Sequence, residues 1–288
     1  MNRNEILKRV KIIALKSNRF SRSLFSGNYK TLYKGRGMVF SEVREYQFGD
    51  DTRTIDWNVT ARYGHPYIKL FDEERGQEIM LVIDVSASMY YGDEFCSKIE
   101  KSIEVFATLA FSAAANHDKI GALFVSDQIE QYFPPKKDKR HIYAIIDALI
   151  ELKPRGKKTN LNDAFLFLNG LKNKKLFCFM LSDFRDDTFL SKELSYFSKK
   201  HALYAIKIQS NSEKRLNIKG IHCVENPETG ERIWVNGFSR FMSRIIDKEF
   251  ISHELNMVES FRNLNIPCIS IESNDETLAP LLQLFMQK

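Results

Sequence analysis

The sequence predicts an α/β protein: a doubly wound, mostly parallel sheet with helices on both faces, preceded by a small β-containing N-terminal region. Three observations carry this. From residue 78 onward, short and nearly continuous apolar runs alternate with segments of helical period, the pattern of strands buried on both faces. Charge divides the chain near residue 75: residues 1–75 hold 15 Lys and Arg against 9 Asp and Glu, and the remainder balances at 28 of each. Finally, the apolar run "MLVID" (80–84) breaks into "VSAS", which sets oxygen-bearing side chains where open α/β sheets bind ligands.

The elements follow in chain order. Residues 4–17 predict a short basic amphipathic helix with Ile6, Val10 and Ile13 on one side. "TIDWNVTA" (54–61) alternates apolar and polar positions and predicts a strand with Trp57 in the core. Gly64-His65-Pro66 then turns the chain into a second strand, "YIKLF" (67–71), making a hairpin. Strands are expected at 79–84, 119–125, 175–182, 203–208 and 267–272, and helices at about 95–116, 141–152, 161–172 and 189–200. Ile99, Ile103, Phe106, Ala110 and Ala113 recur at three- and four-residue spacing, as on a helix lying against a sheet. An insertion at about 212–266 holds a hairpin around "NPETGER" and a long helix, about 239–264, and a helix at 275–287 follows. The division is thus a basic N-terminal region, 1–75, and an α/β domain, 76–288.

Composition excludes several classes. The chain has 288 residues, 43% apolar, enough for a substantial core. Its longest apolar runs, such as "LFCFML" (176–181), are too short to span a bilayer, and "MNRNEILKRV" has no signal-peptide stretch. Cys96, Cys178, Cys223 and Cys268 are too scattered for a zinc knuckle or disulfide framework. A cytoplasmic protein is expected. Residues 1–36 carry ten basic side chains and one acid, Glu5. That bias suits phosphate contact, an anionic membrane surface touched through residues 1–20, or docking on an acidic partner or on the chain's own sheet. No nucleic-acid reader motif accompanies it, so nucleic acid is not the expected partner. The acids of "REYQFGDD" with Arg44, Arg53 and Arg62 predict an internal ion-pair network.

The polar break needs its own account. A D-x-S-x-S run by itself is satisfied by capping hydrogen bonds in a turn. Here, however, Asp84, Ser86 and Ser88 are joined by Thr159 in the loop before a helix, and by Ser182 and Asp183 at the end of another buried strand. Asp84, Ser86, Ser88, Thr159 and Asp183 form an all-oxygen, hard-ligand set suited to Mg2+ or Mn2+.

This set resembles the metal-ion-dependent adhesion site (MIDAS) of von Willebrand factor A-like domains. The resemblance implies that Ser86, Ser88 and Thr159 bind the ion directly, that Asp84 and Asp183 act through water, and that a partner's acidic residue completes the shell. Together with "GRGMVFSEVREYQFGDDTRTIDWNVTARYGHPYIKLFDEER" (35–75) and "NPETGERIWV", the chain resembles the bacterial family called DUF fifty-eight. Members are often encoded beside MoxR-type AAA+ ATPases, which implies such an ATPase, or its client, as partner. Many relatives carry membrane helices before this region, and this chain resembles the short soluble type.

Rival chemistries fit less well. A haloacid-dehalogenase-type phosphotransferase needs D-x-D where Ser86 stands. A serine hydrolase needs G-x-S-x-G, and "DVSAS" has no such glycines. "GKKTN" is not a phosphate loop. The expected function is a non-enzymatic interaction or adaptor protein. A metal-dependent hydrolase or phosphotransferase and a basic nucleic-acid-binding module are the alternatives.

Overall fold

The computed structural model describes residues 3–24, 38–73, 76–93, 96–171, 175–185, 191–210, 220–225, 228, 230–236 and 240–286. The strands of the central sheet are β3 (Glu78–Asp84), β6 (Lys119–Val125), β7 (Ile129–Lys136), β8 (Phe177–Ser182), β9 (Ala202–Gln209) and β12 (Cys268–Glu272). They run in the order β12-β9-β8-β3-β6-β7. All neighbours are parallel except β7, which returns antiparallel along β6. The strand β7 is the sheet element that sequence periodicity does not mark. Its "IEQYFPPK" is half-exposed and ends in Pro134 and Pro135, which lack the N–H a central strand must donate.

Strand β3 shows why the sheet is covered on both faces. Ile79, Leu81 and Ile83 face one hydrophobic cluster, and Met80 and Val82 face another. The first cluster is closed by α1 (Arg3–Leu24), α3 (Lys98–Ala115), α4 (Lys139–Glu151) and α8 (Leu278–Met286). The second is closed by α5 (Leu161–Gly170), α6 (Lys192–Lys200) and α7 (Arg240–Asn263). Ile99, Ile103, Phe106, Ala110 and Ala113 of α3 are all buried, as their spacing predicts. The result is an α/β fold with a mixed, mostly parallel sheet.

The amphipathic helix α1 does not stand apart. It packs along α3, and its Ile6 and Val10 are buried in the first cluster. Arg3 at its start pairs with Asp147 at 3.1 Å and Glu151 at 3.3 Å on α4. Some of the basic charge of residues 1–36 therefore serves an internal contact.

Downstream, β1 (Met38–Glu45) pairs antiparallel with β2 (Tyr67–Glu73) in a separate two-stranded sheet. The expected strand at 54–61 is instead largely helical, with α2 spanning Trp57–Tyr63. Local capping overrides the alternation. Asp56 accepts the Asn58 and Val59 N–H groups, and Gly64 closes the helix in the left-handed region at φ 75°. Trp57 is consequently 71% exposed rather than in the core. Of the expected ion pairs, Arg44 makes a two-pronged contact to Asp50, at 2.7 and 2.9 Å. Lys69 approaches Asp56 at 3.4 Å, whereas the Arg53 backbone N–H, not its guanidinium, contacts Asp51. Two further pairs lie outside the central sheet. The short strands β4 (Gly92–Asp93) and β5 (Cys96–Ser97) pair antiparallel, and in the insertion β10 (Ile221–Glu225) and β11 (Arg232–Asn236) form the hairpin around "NPETGER".

Candidate functional site: an oxygen-lined cluster at the strand ends

The site is built from three chain crossings at the carboxyl ends of β3 and β8. Asp84 is the last residue of β3, and the chain leaves the sheet where the Val85 N–H bonds the Val125 carbonyl at 2.8 Å. A short 3-10 turn at Ala87–Tyr90 follows, so Ser86 and Ser88 curl back over the strand end. The Ser86 N–H donates to Asp84 Oδ1 at 2.9 Å, and the Ser182 hydroxyl donates to Oδ2 at 2.6 Å. Ser86 Oγ and Ser88 Oγ lie 3.1 Å apart, and Asp84, Ser86, Ser88 and Asp183 are all buried.

The second crossing is the loop before α5. The Ala87 N–H bonds the Lys157 carbonyl at 2.9 Å, and the Asn160 N–H bonds the Ser126 carbonyl at 2.8 Å, which ties the loop to both β3 and β6. Glu130 on β7 accepts the N–H groups of Arg155 and Gly156, each at 2.9 Å, and the Ser126 hydroxyl at 2.6 Å. Burial raises the Glu130 pKa, but the Gly156, Ser126 and Arg155 hydrogen bonds outweigh it and leave the carboxyl below its ordinary value. Gly156 is needed for this approach, because a Cβ there would overlap the Asp127 carboxylate and the Ser126 hydroxyl. The loop thus presents Thr159, buried, with its hydroxyl donating to Glu228 Oε1 at 3.2 Å.

The third crossing follows β8. Asp183 hydrogen-bonds the Ser88 hydroxyl and receives Lys98 Nζ at 2.5 Å, and both side chains of this ion pair are at most 3% exposed. Phe184 turns the chain at φ 50°, in the left-handed region that non-glycine residues rarely adopt, with its N–H bonded to Ser182 Oγ at 3.0 Å.

The two carboxylates have different electrostatics. Burial first, and the Asp183 charge second, push Asp84 well above the ordinary carboxylate range, against the opposing pull of Ser182 and Ser86. Burial also acts against Asp183, but the Lys98 ammonium overcomes it and keeps that group ionised. The local balance of two carboxylates and one ammonium is one net negative charge when both acids are ionised. A divalent cation would turn this balance to one net positive charge, which suits an incoming carboxylate.

The donor chemistry fits such an ion. Bonds of about 2.1 Å to Mg2+ in an octahedron place neighbouring oxygens about 3.0 Å apart, close to the Ser86–Ser88 separation. Among the described residues no three His, Cys, Asp or Glu side chains cluster as a metal site, so the donors here are hydroxyls supported by two acids. The structure brings Asp84, Ser86, Ser88 and Asp183 into direct contact, and attaches Thr159 through its loop. Sequence reasoning missed Lys98 and Glu228. Lys98 opens an amphipathic helix, where a lysine ordinarily reaches solvent, and Glu228 sits in a turn whose fold-back onto the sheet has no local signal.

Fold and cluster together define an α/β domain with a buried polar site at the carboxyl ends of its central strands. The chain belongs to the family described as protein of unknown function DUF58, whose model matches residues 42–254. Among curated proteins it is 24% identical over 263 residues to the uncharacterized protein Rv1480 of Mycobacterium tuberculosis, covering 89% of this chain and 81% of that one. Among solved structures, BatB from Bacteroides thetaiotaomicron is similar with a TM-score of 0.49 at 13% identity, over 73% of this chain and 98% of that one. The VWA domain of SpRpn10 is similar with a TM-score of 0.39 at 15% identity, over 72% and 93%. No helix among the described residues is long and apolar enough to cross a membrane.

Proposed function

We propose that this chain is a non-enzymatic interaction protein whose metal-ion-dependent site captures an acidic group of a protein partner. One observation carries the reading: Asp84, Ser86, Ser88 and Asp183 form a buried cluster of oxygens held by a backbone N–H, by hydroxyl hydrogen bonds and by the Lys98–Asp183 ion pair, with no histidine or cysteine in these contacts. Ser86, Ser88 and Thr159 would hold Mg2+ or Mn2+ directly, and Asp84 and Asp183 would support it through water. The bound ion supplies a positive charge with a position open to an outside carboxylate. The residues of the chain do the rest. The Ser86 N–H and Ser182 hydroxyl fix the Asp84 carboxylate, and Lys98 keeps Asp183 ionised.

By resemblance, the partner is a MoxR-type AAA+ ATPase or the client that it remodels, in the cytoplasm. The test is a pull-down of a MoxR-type ATPase from the same genome with Mg2+, with chelator, and with Asp84→Ala. Capture that needs both the ion and Asp84 supports the reading. Capture that is indifferent to chelator and to Asp84→Ala refutes it.

A further inference from the structure

We propose that Glu228 is a tethered ligand of the site, a carboxylate from this same chain that occupies the position a partner's acid would take. The inference rests on the metal-site reading above and goes beyond it by saying what guards the site. Glu228 lies in the turn of the β10–β11 hairpin, which is closed by the Glu225–Arg232 pair and bent at Gly230 with φ 73°. From there its Oε1 accepts the Thr159 hydroxyl at 3.2 Å. Glu228 and Thr159 are 69 residues apart in sequence, so the contact depends on the insertion folding back over the strand ends.

The geometry matches that of a shared coordination shell. The Thr159–Glu228 oxygen separation, 3.2 Å, is close to the 3.1 Å between Ser86 Oγ and Ser88 Oγ, and both are near the edge of an octahedron around a small ion. With a hard cation held by Thr159, Glu228 is already within hydrogen-bond reach of one of its ligands. A neutral hairpin side chain would not serve, because an open position on a hard cation favours an anionic oxygen.

Tethering also sets how the site responds to partners. A carboxylate held by a short linkage acts at an effective concentration in the mM range, so weak free acids lose to it and only a partner with further contacts displaces it. The hairpin is thus a plug: closed on Glu228 in the resting chain, and released when a partner's acidic residue replaces Glu228.

The experiment uses the full chain and needs no identified partner. Amide hydrogen exchange is followed over residues 221–225 and 232–236 with and without Mg2+, in the wild type, Glu228→Ala, Glu228→Gln and the Ser86→Ala/Ser88→Ala double variant. Binding of Mg2+ and of acetate, the simplest carboxylate, is measured alongside. Mg2+ should slow hairpin exchange in the wild type and leave it unchanged in both Glu228 variants. Acetate should bind Mg2+-loaded Glu228→Ala at least about tenfold more tightly than the loaded wild type. Mg2+ binding that the serine variant loses, combined with equal hairpin protection and equal acetate affinity in wild type and Glu228→Ala, overturns the plug and leaves the metal-site reading standing. No Mg2+ binding by the wild type overturns both.

Discussion

Lys98→Met is the most demanding test of the site's electrostatics. Methionine keeps most of the stem volume and removes only the ammonium, so the change isolates charge. Lys98 Nζ is 2.5 Å from Asp183 Oδ2, with side-chain exposures of 1% and 3%, and Asp84 lies in the same buried cluster. Removing one partner of such a pair strands the other and costs about 3–5 kcal/mol. For a chain of this size that is roughly 5–10 °C in melting temperature. The variant can escape part of the cost by taking up a proton. A carboxyl whose pKa is raised on folding binds more protons in the native state. Its destabilising effect is therefore absent below the unfolded value of about 4, grows as pH rises from there toward the folded pKa, and is fully present above it. The deficit should therefore be largest above neutrality and shrink on acidification. Mg2+ should restore more stability to the variant than it adds to the wild type, since it replaces the missing positive charge. Urea melts from pH 5 to 8, with Mg2+ and with chelator, measure all three effects. A loss below about 1 kcal/mol at pH 8, or a Mg2+ response no greater than wild type, refutes the view that Lys98 is the cluster's resident counter-charge.

Further outcomes are expected elsewhere. The Ser86→Ala/Ser88→Ala variant should stay folded yet lose the Mg2+ stabilisation, which at a hundredfold excess over Kd is about 2.7 kcal/mol and is read by calorimetry. Gly156→Ala should cost about 1–3 kcal/mol in urea melts and weaken Mg2+ binding, because its Cβ would meet the Asp127 carboxylate and displace the loop that carries Thr159. His201 is held neutral: burial, then Lys200 and Lys175, lower its pKa to about 4, and its Nδ1 accepts the Leu176 N–H at 3.0 Å. A depressed histidine costs stability below its unfolded pKa, so His201 should account for about 2 kcal/mol lost between pH 7 and pH 5, a slope that His201→Gln should abolish. Assays for hydrolysis of ATP, phosphoesters or acyl esters should show no turnover that depends on both Mg2+ and Asp84.

Most of the α/β domain was legible because its signals are local and redundant. The run "IMLVID" can hardly be anything but a strand buried on both faces, and the spacing of Ile99, Ile103 and Phe106 marks a single helix face. The N-terminal region misled for the opposite reason. Alternation over 54–61 competes there with an Asp N-cap and a Gly C-cap, and the caps prevail because the segment has too little core to reward a strand. At the site, Asp84, Ser86 and Ser88 were readable because one strand and one turn position them together. Lys98 and Glu228 were not, because their roles depend on where α3 starts and where the insertion folds back, distances that no sequence window contains.

The prolines of β7 have a consequence for how this molecule meets others. An outer strand with a full row of backbone donors invites a foreign strand to add on, which is a route to both recruitment and aggregation. Pro134 and Pro135 interrupt that row on one side of the sheet, and the strand on the other side, Cys268–Glu272, offers only five residues. Both flanks are thus poor templates for strand addition. Association by backbone pairing, which is indifferent to sequence, is disfavoured at both edges, so selective recognition by this domain has to come from side chains.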